Sequence, residues 1–146
     1  MKANIELYGL PGLPDVQPGD DLIALILDAL KRAALSLRDG DVLVVTQKIV
    51  SKAEGRAVDL TTIEPSEAAK QLAEATGKDP HLVEVILHES KGIIRQRGPV
   101  LIMETHHGWI CANAGVDRSN VRGDDVALPL PEDPDASARR LQAGLR

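Results

Sequence analysis

The sequence contains no phenylalanine, one tyrosine and one tryptophan. Its core must therefore be built from leucine, isoleucine, valine and alanine, and there is no row of aromatic side chains on which single-stranded nucleic acid could stack. Positive charge is also short: 17 lysines and arginines stand against 22 acidic residues, a formal net charge of −5. With no basic stripe, a nucleic-acid backbone is not an expected partner. The single cysteine, Cys111, cannot form an internal disulfide, which fits a reducing cytoplasm. No apolar run approaches the roughly 20 residues of a membrane span, and no signal-peptide pattern opens the chain. The expected location is cytoplasmic, without a membrane partner. Internal repeats and low-complexity tracts are absent as well.

What is present is the composition of an ordered domain, 43% hydrophobic and 27% charged over 146 residues, enough for one core. Asn4 to Leu10 reads as a strand, broken by Pro11-Gly12-Leu13-Pro14 and Pro18-Gly19. Asp20 or Asp21 can cap a helix with Leu22, Ile26, Ala29, Leu30, Ala33 and Leu37 on one face, ended by Asp39-Gly40. Val42 to Val45 is β-branched and uninterrupted, which predicts a strand buried on both faces. Helices are expected over Pro65 to Thr76, closed by Gly77, and from Pro80 to about Lys91, capped by Asp79. Strands are expected at Gly92 to Arg95, Pro99 to Met103 and Trp109 to Ala112, and a last helix from Asp135 onward. The fold class is α+β, a mixed but largely antiparallel sheet with flanking helices.

Three polar clusters lie at the ends of these elements. The turn Gly12 to Val16 either offers backbone amides to a base or phosphate, or is a plain Pro/Gly connection. Thr46 to Arg56 follows the predicted buried strand, the end at which such sheets bind ligands. Its Ser51, Lys52 and Arg56 suit phosphate, although without the glycines or following helix of a Walker loop, and a solvated basic turn reads equally well. The third cluster runs from Thr105-His106-His107-Gly108 into CANAGVDRSN. Adjacent strand histidines point to opposite faces, so a two-histidine zinc site is not expected. Asp117 with Asn120 suits Mg²⁺ or Mn²⁺ sharing phosphate oxygens, or an Asx turn closing a hairpin. Small residues and Gly115 allow a close backbone approach. Cys111 reads as a small buried hydrophobe, and His81 and His88 as surface or boundary packing.

GLPDVQPGDDL (Gly12 to Leu22), GDVLVVTQKIVSKAEGR (Gly40 to Arg56), HES (His88 to Ser90) and THHGWICANAGVDRSNV (Thr105 to Val121) together resemble the coenzyme F420-0 γ-glutamyl ligases, in order and spacing, over nearly the whole chain. The resemblance implies GTP-dependent ligation of L-glutamate to coenzyme F420-0 through an acyl phosphate. It implies GTP contacts at Leu13, Pro14, Asp15, Val16, Gln47, Lys52 and Asn120, and a metal ligand at Asp117. Asp15 stands where relatives often carry an apolar residue, so only its backbone contact is carried over. Lys52 is the catalytic candidate for phosphate neutralisation, and His106 or His107 is placed toward the deazaflavin or the incoming amine. Mg²⁺ or Mn²⁺, with K⁺ as a further ion, and an intertwined homodimer are implied too. Members of the family continue past the point matching Arg146, so residues 1–146 are expected to form the N-terminal part of such a domain. That part would lack the C-terminal half and its second acidic metal ligand, and would be inactive alone if truncated. A non-catalytic nucleotide-binding or assembly module is the alternative.

Overall fold

The computed structural model describes residues 4–118 and 125–146. Helix α1 spans Leu22–Arg32, started by Asp21, whose Oδ1 accepts from the Ile23 and Ala24 amides. Leu22, Ile26, Ala29 and Leu30 form its buried stripe. It ends before Leu37, where Ala34 turns to φ +53°. Helix α2, Gln47–Ala53, occupies a stretch read from sequence as a loop. Its Ile49, Val50 and Ala53 pack with Val16, Leu22, Leu25 and Leu141, so tertiary burial rather than intrinsic propensity makes this short helix.

Helices α3, Glu67–Thr76, and α4, Pro80–His88, form an antiparallel pair joined by Gly77, which takes φ +69°. Ala69 and Ala73 of α3 lie against Val83 of α4. Asp79 Oδ1 caps α4 by accepting from the His81 amide, and Pro80 fills the first turn. Glu84 Oε2 accepts from both the amide and hydroxyl of Ser66, fastening the start of α3 to α4. These bonds hold the Glu84 carboxyl below its ordinary range. A carboxyl lowered in the fold stabilises it above the unfolded-state pKa. That contribution is expected to fade as pH falls through the folded value, and Glu84→Gln should flatten the acid limb of a stability-against-pH curve.

A short strand, β1 (Val58–Asp59), pairs antiparallel with β5 (Val126–Ala127). A second sheet has the order β2 (Ser90–Arg97), β3 (Val100–Thr105), β4 (Ile110–Ala112), also antiparallel throughout. The α+β expectation holds, but no parallel pair occurs among the described residues. β3 alternates, placing Leu101, Met103 and Thr105 inward. Leu101 and Met103 form the main core with Leu60, Val85, Ile86, Ala114, Val116 and Ala127. Helix α5, Pro134–Gly144, is capped by Asp133 rather than starting at Asp135.

Two strand predictions fail. Asn4 to Leu10 and Val42 to Val45 carry no strand pairing among the described residues. Val42 and Val44 are 85% and 81% exposed, so this run is not buried on both faces, although Val45 tucks against Val16 and Val50. β-branched composition sets a preference for extended backbone, but only a hydrogen-bonding partner makes a strand.

Arg56 links three parts of the fold. One guanidinium nitrogen lies 2.8 Å from both Glu89 carboxylate oxygens, and Nε donates to the Leu130 carbonyl at 3.0 Å. Arg56, one of the side chains suited to phosphate, ties α2 and α4 to the chain before α5. Arg56→Ala should destabilise the fold by about 2 kcal/mol, the scale of a lost hydrogen bond to a charged group, as measured by urea denaturation.

Candidate functional site

The turn after Leu10 is fixed before any ligand arrives. Gly12 takes φ +81°, and its carbonyl accepts from Arg32 Nη2 at 2.9 Å. Val16 is buried at 3% exposure beside Leu22 and Val50, and the Gly19 amide donates to the carbonyl of Ala53 at the end of α2. Asp15 meets α2 through Lys52, with Leu13 half-buried and Pro14 and Asp15 exposed. Since the side chain of Val16 belongs to the core, any ligand meets that residue through its backbone.

From α2, Lys52 Nζ reaches Asp15 Oδ1 at 2.9 Å, and Lys48 Nζ reaches Asp117 Oδ2 at 2.7 Å. The lysine side chains are 19% and 29% exposed respectively. The three clusters therefore converge on one short helix. Gln47 sits at its start, its Oε1 accepting from the buried Ser51 hydroxyl at 2.9 Å. That bond removes Ser51 from the phosphate candidates, since its hydroxyl proton is used inside the helix. Asn120 lies outside the described residues.

The CANAG stretch explains its own composition. Asn113, Ala114 and Gly115 take φ +52°, +54° and +74° in succession, closed by a hydrogen bond from the Val116 amide to the Asn113 carbonyl. This is a left-handed turn, with two non-glycine residues in a region that disfavours side chains by roughly 1–2 kcal/mol each. Ala114 is 1% exposed, and a Cβ on Gly115 would come within 2.7–2.8 Å of the Leu130 side chain. The turn sends the chain into Asp117, whose backbone exchanges hydrogen bonds with Leu128 at 2.7 and 3.1 Å. Asp117 is thus held by a β-bridge to Leu128, while the residues of the alternative Asx turn, toward Asn120, lie outside the described ones. Backbone strain that a fold maintains beside a carboxylate marks a place where position matters.

The histidines are placed by backbone carbonyls. His106 Nε2 donates to His88 O at 2.9 Å, and His107 Nε2 to Glu132 O at 3.0 Å. His107 stacks on Trp109, ring centres 5.0 Å apart, and its buried Nδ1 has no hydrogen-bond partner among the described residues. Trp109 borders a groove of about 1220 Å³ with Leu43, Val45, Gln47, Leu130 and Arg139. Asp79 meets both His81 and Arg118, at 3.0 and 3.3 Å. Burial pushes its carboxyl up, but the hydrogen bonds from His81 outweigh that and leave it below the ordinary value. Burial also pushes the Cys111 thiol up. Alkylation of Cys111 by iodoacetamide at neutral pH should run slower than that of a cysteine in an unstructured peptide, because the thiolate is the reacting form.

Among the described residues there is no group of three or more histidine, cysteine or acidic side chains placed to hold a metal ion. Asp117 alone fits a cation only as one ligand of several, the others being phosphate oxygens and water. Sequence reasoning missed Lys48. Its spacing to Lys52 places both on one helical face, but a stretch read as a loop carries no such face.

Comparison with known proteins shows that residues 12–146 match a family model described as F420-0:Gamma-glutamyl ligase. The chain is similar to the coenzyme F420:L-glutamate ligases of Methanothermobacter thermautotrophicus, 51% identical over 94% of this chain and 54% of that protein, and Methanopyrus kandleri, 51% over 90% and 50%. That of Natronomonas pharaonis is 46% identical over 97% of this chain and 55% of its own length. The chain spans about half the length of these relatives.

Proposed function

Because this chain belongs to the F420-0:gamma-glutamyl ligase family, we propose that it contributes the nucleotide site of a GTP-dependent ligase joining L-glutamate to coenzyme F420-0. The observation that carries this reading is the convergence of the Leu13 to Val16 turn, helix α2 and Asp117 through two lysine–carboxylate pairs of 2.9 and 2.7 Å. Paired charges keep a phosphate-binding surface folded and soluble without phosphate, and can exchange their carboxylates for phosphate oxygens when it arrives.

In the proposed reaction a carboxylate oxygen of F420-0 attacks the γ-phosphorus of GTP, and the bond to the bridging oxygen breaks to release GDP. The α-amine of glutamate then attacks the acyl phosphate carbon. Inorganic phosphate leaves as the amide forms, and the amine loses its proton. Such transfers need positioning and charge neutralisation more than covalent help from the protein. Lys52 would neutralise the phosphate chain, Leu13 to Val16 and Gln47 would border the nucleotide, and Asn120 is retained as a nucleotide contact. Asp117 would give one oxygen to Mg²⁺ or Mn²⁺, which when bound offsets developing phosphate charge, with K⁺ as a further ion. The groove at Trp109 offers an apolar wall for the deazaflavin ring.

A homodimer belongs to the same proposal. Ile5 and Leu7, 95% and 93% exposed, with Val42 and Val44, form apolar surface of the kind that assembly covers. Among the described residues no helix is long and apolar enough to cross a membrane. Among the described residues no group of three or more histidine, cysteine or acidic side chains surrounds Asp117, and the second reading is a nucleotide-binding or assembly module without activity of its own. Calorimetric titration with GTP and then ATP in the presence of Mn²⁺ tests the nucleotide site. GTP-selective binding supports the ligase reading, and binding of neither nucleotide removes it. Formation of GDP and phosphate dependent on F420-0 and glutamate separates the ligase from the binding module.

A further inference from the structure

The groove beside Trp109 also borders the proposed nucleotide site, because Gln47 at the start of α2 is among the residues that line it. Its walls are the stretch 37–45, which supplies Leu43 and Val45, and helix α5, which supplies Arg139. Trp109 is set before any ligand arrives. His107 Nε2 is fastened to the Glu132 carbonyl, and the indole lies stacked on that imidazole with ring centres 5.0 Å apart. The rest of Trp109, a residue 47% exposed, faces the groove. Charge divides the two walls. On the 37–45 side stand Asp39 and Asp41 with Arg38, and Asp41 Oδ2 accepts from the Arg38 amide at 2.9 Å. On the α5 side, among the described residues, no hydrogen bond or ion pair engages the guanidinium of the exposed Arg139.

We infer that this groove takes the deazaflavin substrate lengthwise, its ring stacked against Trp109, its anionic side chain on Arg139 and its reacting carboxylate toward Gln47. This rests on the ligase reading above and adds the two residues that would select the substrate. At about 1220 Å³ the groove exceeds the roughly 300–1,000 Å³ of an ordinary small-molecule pocket, so ring and side chain both have room. A planar ring gains from offset stacking on an indole, and gains more where the indole is already held in place. A guanidinium is the side chain best shaped for a carboxylate or phosphate group. Asp39 and Asp41 repel an anionic side chain from their wall, which leaves α5 as the side it follows.

The test titrates F420-0, and separately the same deazaflavin ring lacking an anionic side chain, with the parent chain, Trp109→Leu, Trp109→Phe and Arg139→Met. Binding is followed by the ligand's fluorescence anisotropy, and folding of each variant by circular dichroism. Trp109→Leu should weaken both ligands about tenfold, the scale of one lost ring stack, and Trp109→Phe should restore part of the loss. Arg139→Met should weaken F420-0 about tenfold, as for one lost charge-assisted hydrogen bond, and leave the ring without its side chain unchanged. In the parent, binding should also quench the emission of Trp109, the only tryptophan of the chain. Arg139 is exposed on α5, so its variant keeps the inference testable should Trp109→Leu not fold. Parent-like F420-0 binding in folded Trp109→Leu or Arg139→Met overturns the inference. GTP binding without F420-0 binding in the parent chain also overturns it while leaving the nucleotide site standing. Absence of both overturns the two readings together.

Discussion

Replacing Lys52 with alanine is expected to weaken GTP binding in the presence of Mn²⁺ by about 1.5–3 kcal/mol, the range for losing a hydrogen bond to a charged group. The ammonium is mostly shielded, at 19% exposure, yet its partner Asp15 is 45% exposed. A pair of that kind adds little to stability, about 0–1 kcal/mol, so the variant should fold with a urea midpoint close to that of the parent. The effect on nucleotide should therefore be separable from any effect on the fold. An unchanged GTP affinity in a folded Lys52→Ala chain would take Lys52 out of the site and leave its contact with Asp15 as a surface ion pair.

The second large effect is structural. Gly115→Ala should destabilise the chain by roughly 2–4 kcal/mol, combining the left-handed backbone penalty with the overpacking of a tight contact. Gly115 takes φ +74°, and the added methyl would press on three carbon atoms of Leu130 at once. Relief requires Leu130 to move, and its carbonyl is the acceptor for Arg56 Nε. Chemical denaturation measures the loss. Because the same turn delivers Asp117 to Lys48, the folded fraction of this variant should also bind GTP with Mn²⁺ less tightly. A variant as stable as the parent would show that Leu130 yields freely and that the glycine is not required for close approach.

Local chemistry was legible in the sequence wherever a residue acts on its immediate neighbours. Asp21 and Asp79 cap helices, Pro80 fills a first turn and Gly77 ends a helix in the left-handed conformation, each as its type and position predict. The hairpin from β2 through β4 also follows from turns that separate alternating segments. Pairing decided elsewhere was not legible. Val42 to Val45 has the composition of a buried strand but lacks a backbone partner among the described residues, and composition cannot supply one. The two-residue strands β1 and β5 meet across nearly half of the chain and carry no periodic pattern.

The candidate site divides along the same line. The sequence singled out Leu13 to Val16, Gln47, Lys52 and Asp117, and the structure brings these segments together around α2. The partners they meet were not predictable, because ion pairs between the turn, the helix and the bridge depend on tertiary placement. Arg56, a cation also suited to phosphate, meets Glu89 and the Leu130 carbonyl, partners that the sequence did not foretell. His106 and His107, offered as substrate contacts, are both fastened to backbone carbonyls. His107 nevertheless keeps a buried ring nitrogen with no partner among the described residues, beside the groove wall at Trp109.

In the proposed site, one face of helix α2, flanked by the Leu13 to Val16 turn and Asp117, receives GTP. Its most direct test is an NMR titration of the ¹⁵N-labelled chain with GTP and Mg²⁺, following every assigned backbone amide. The largest shift changes are expected on residues 13–16, 47–52 and 115–118, and they should shrink in Lys52→Ala. Changes confined to other parts of the chain, or no changes at saturating GTP, would contradict it.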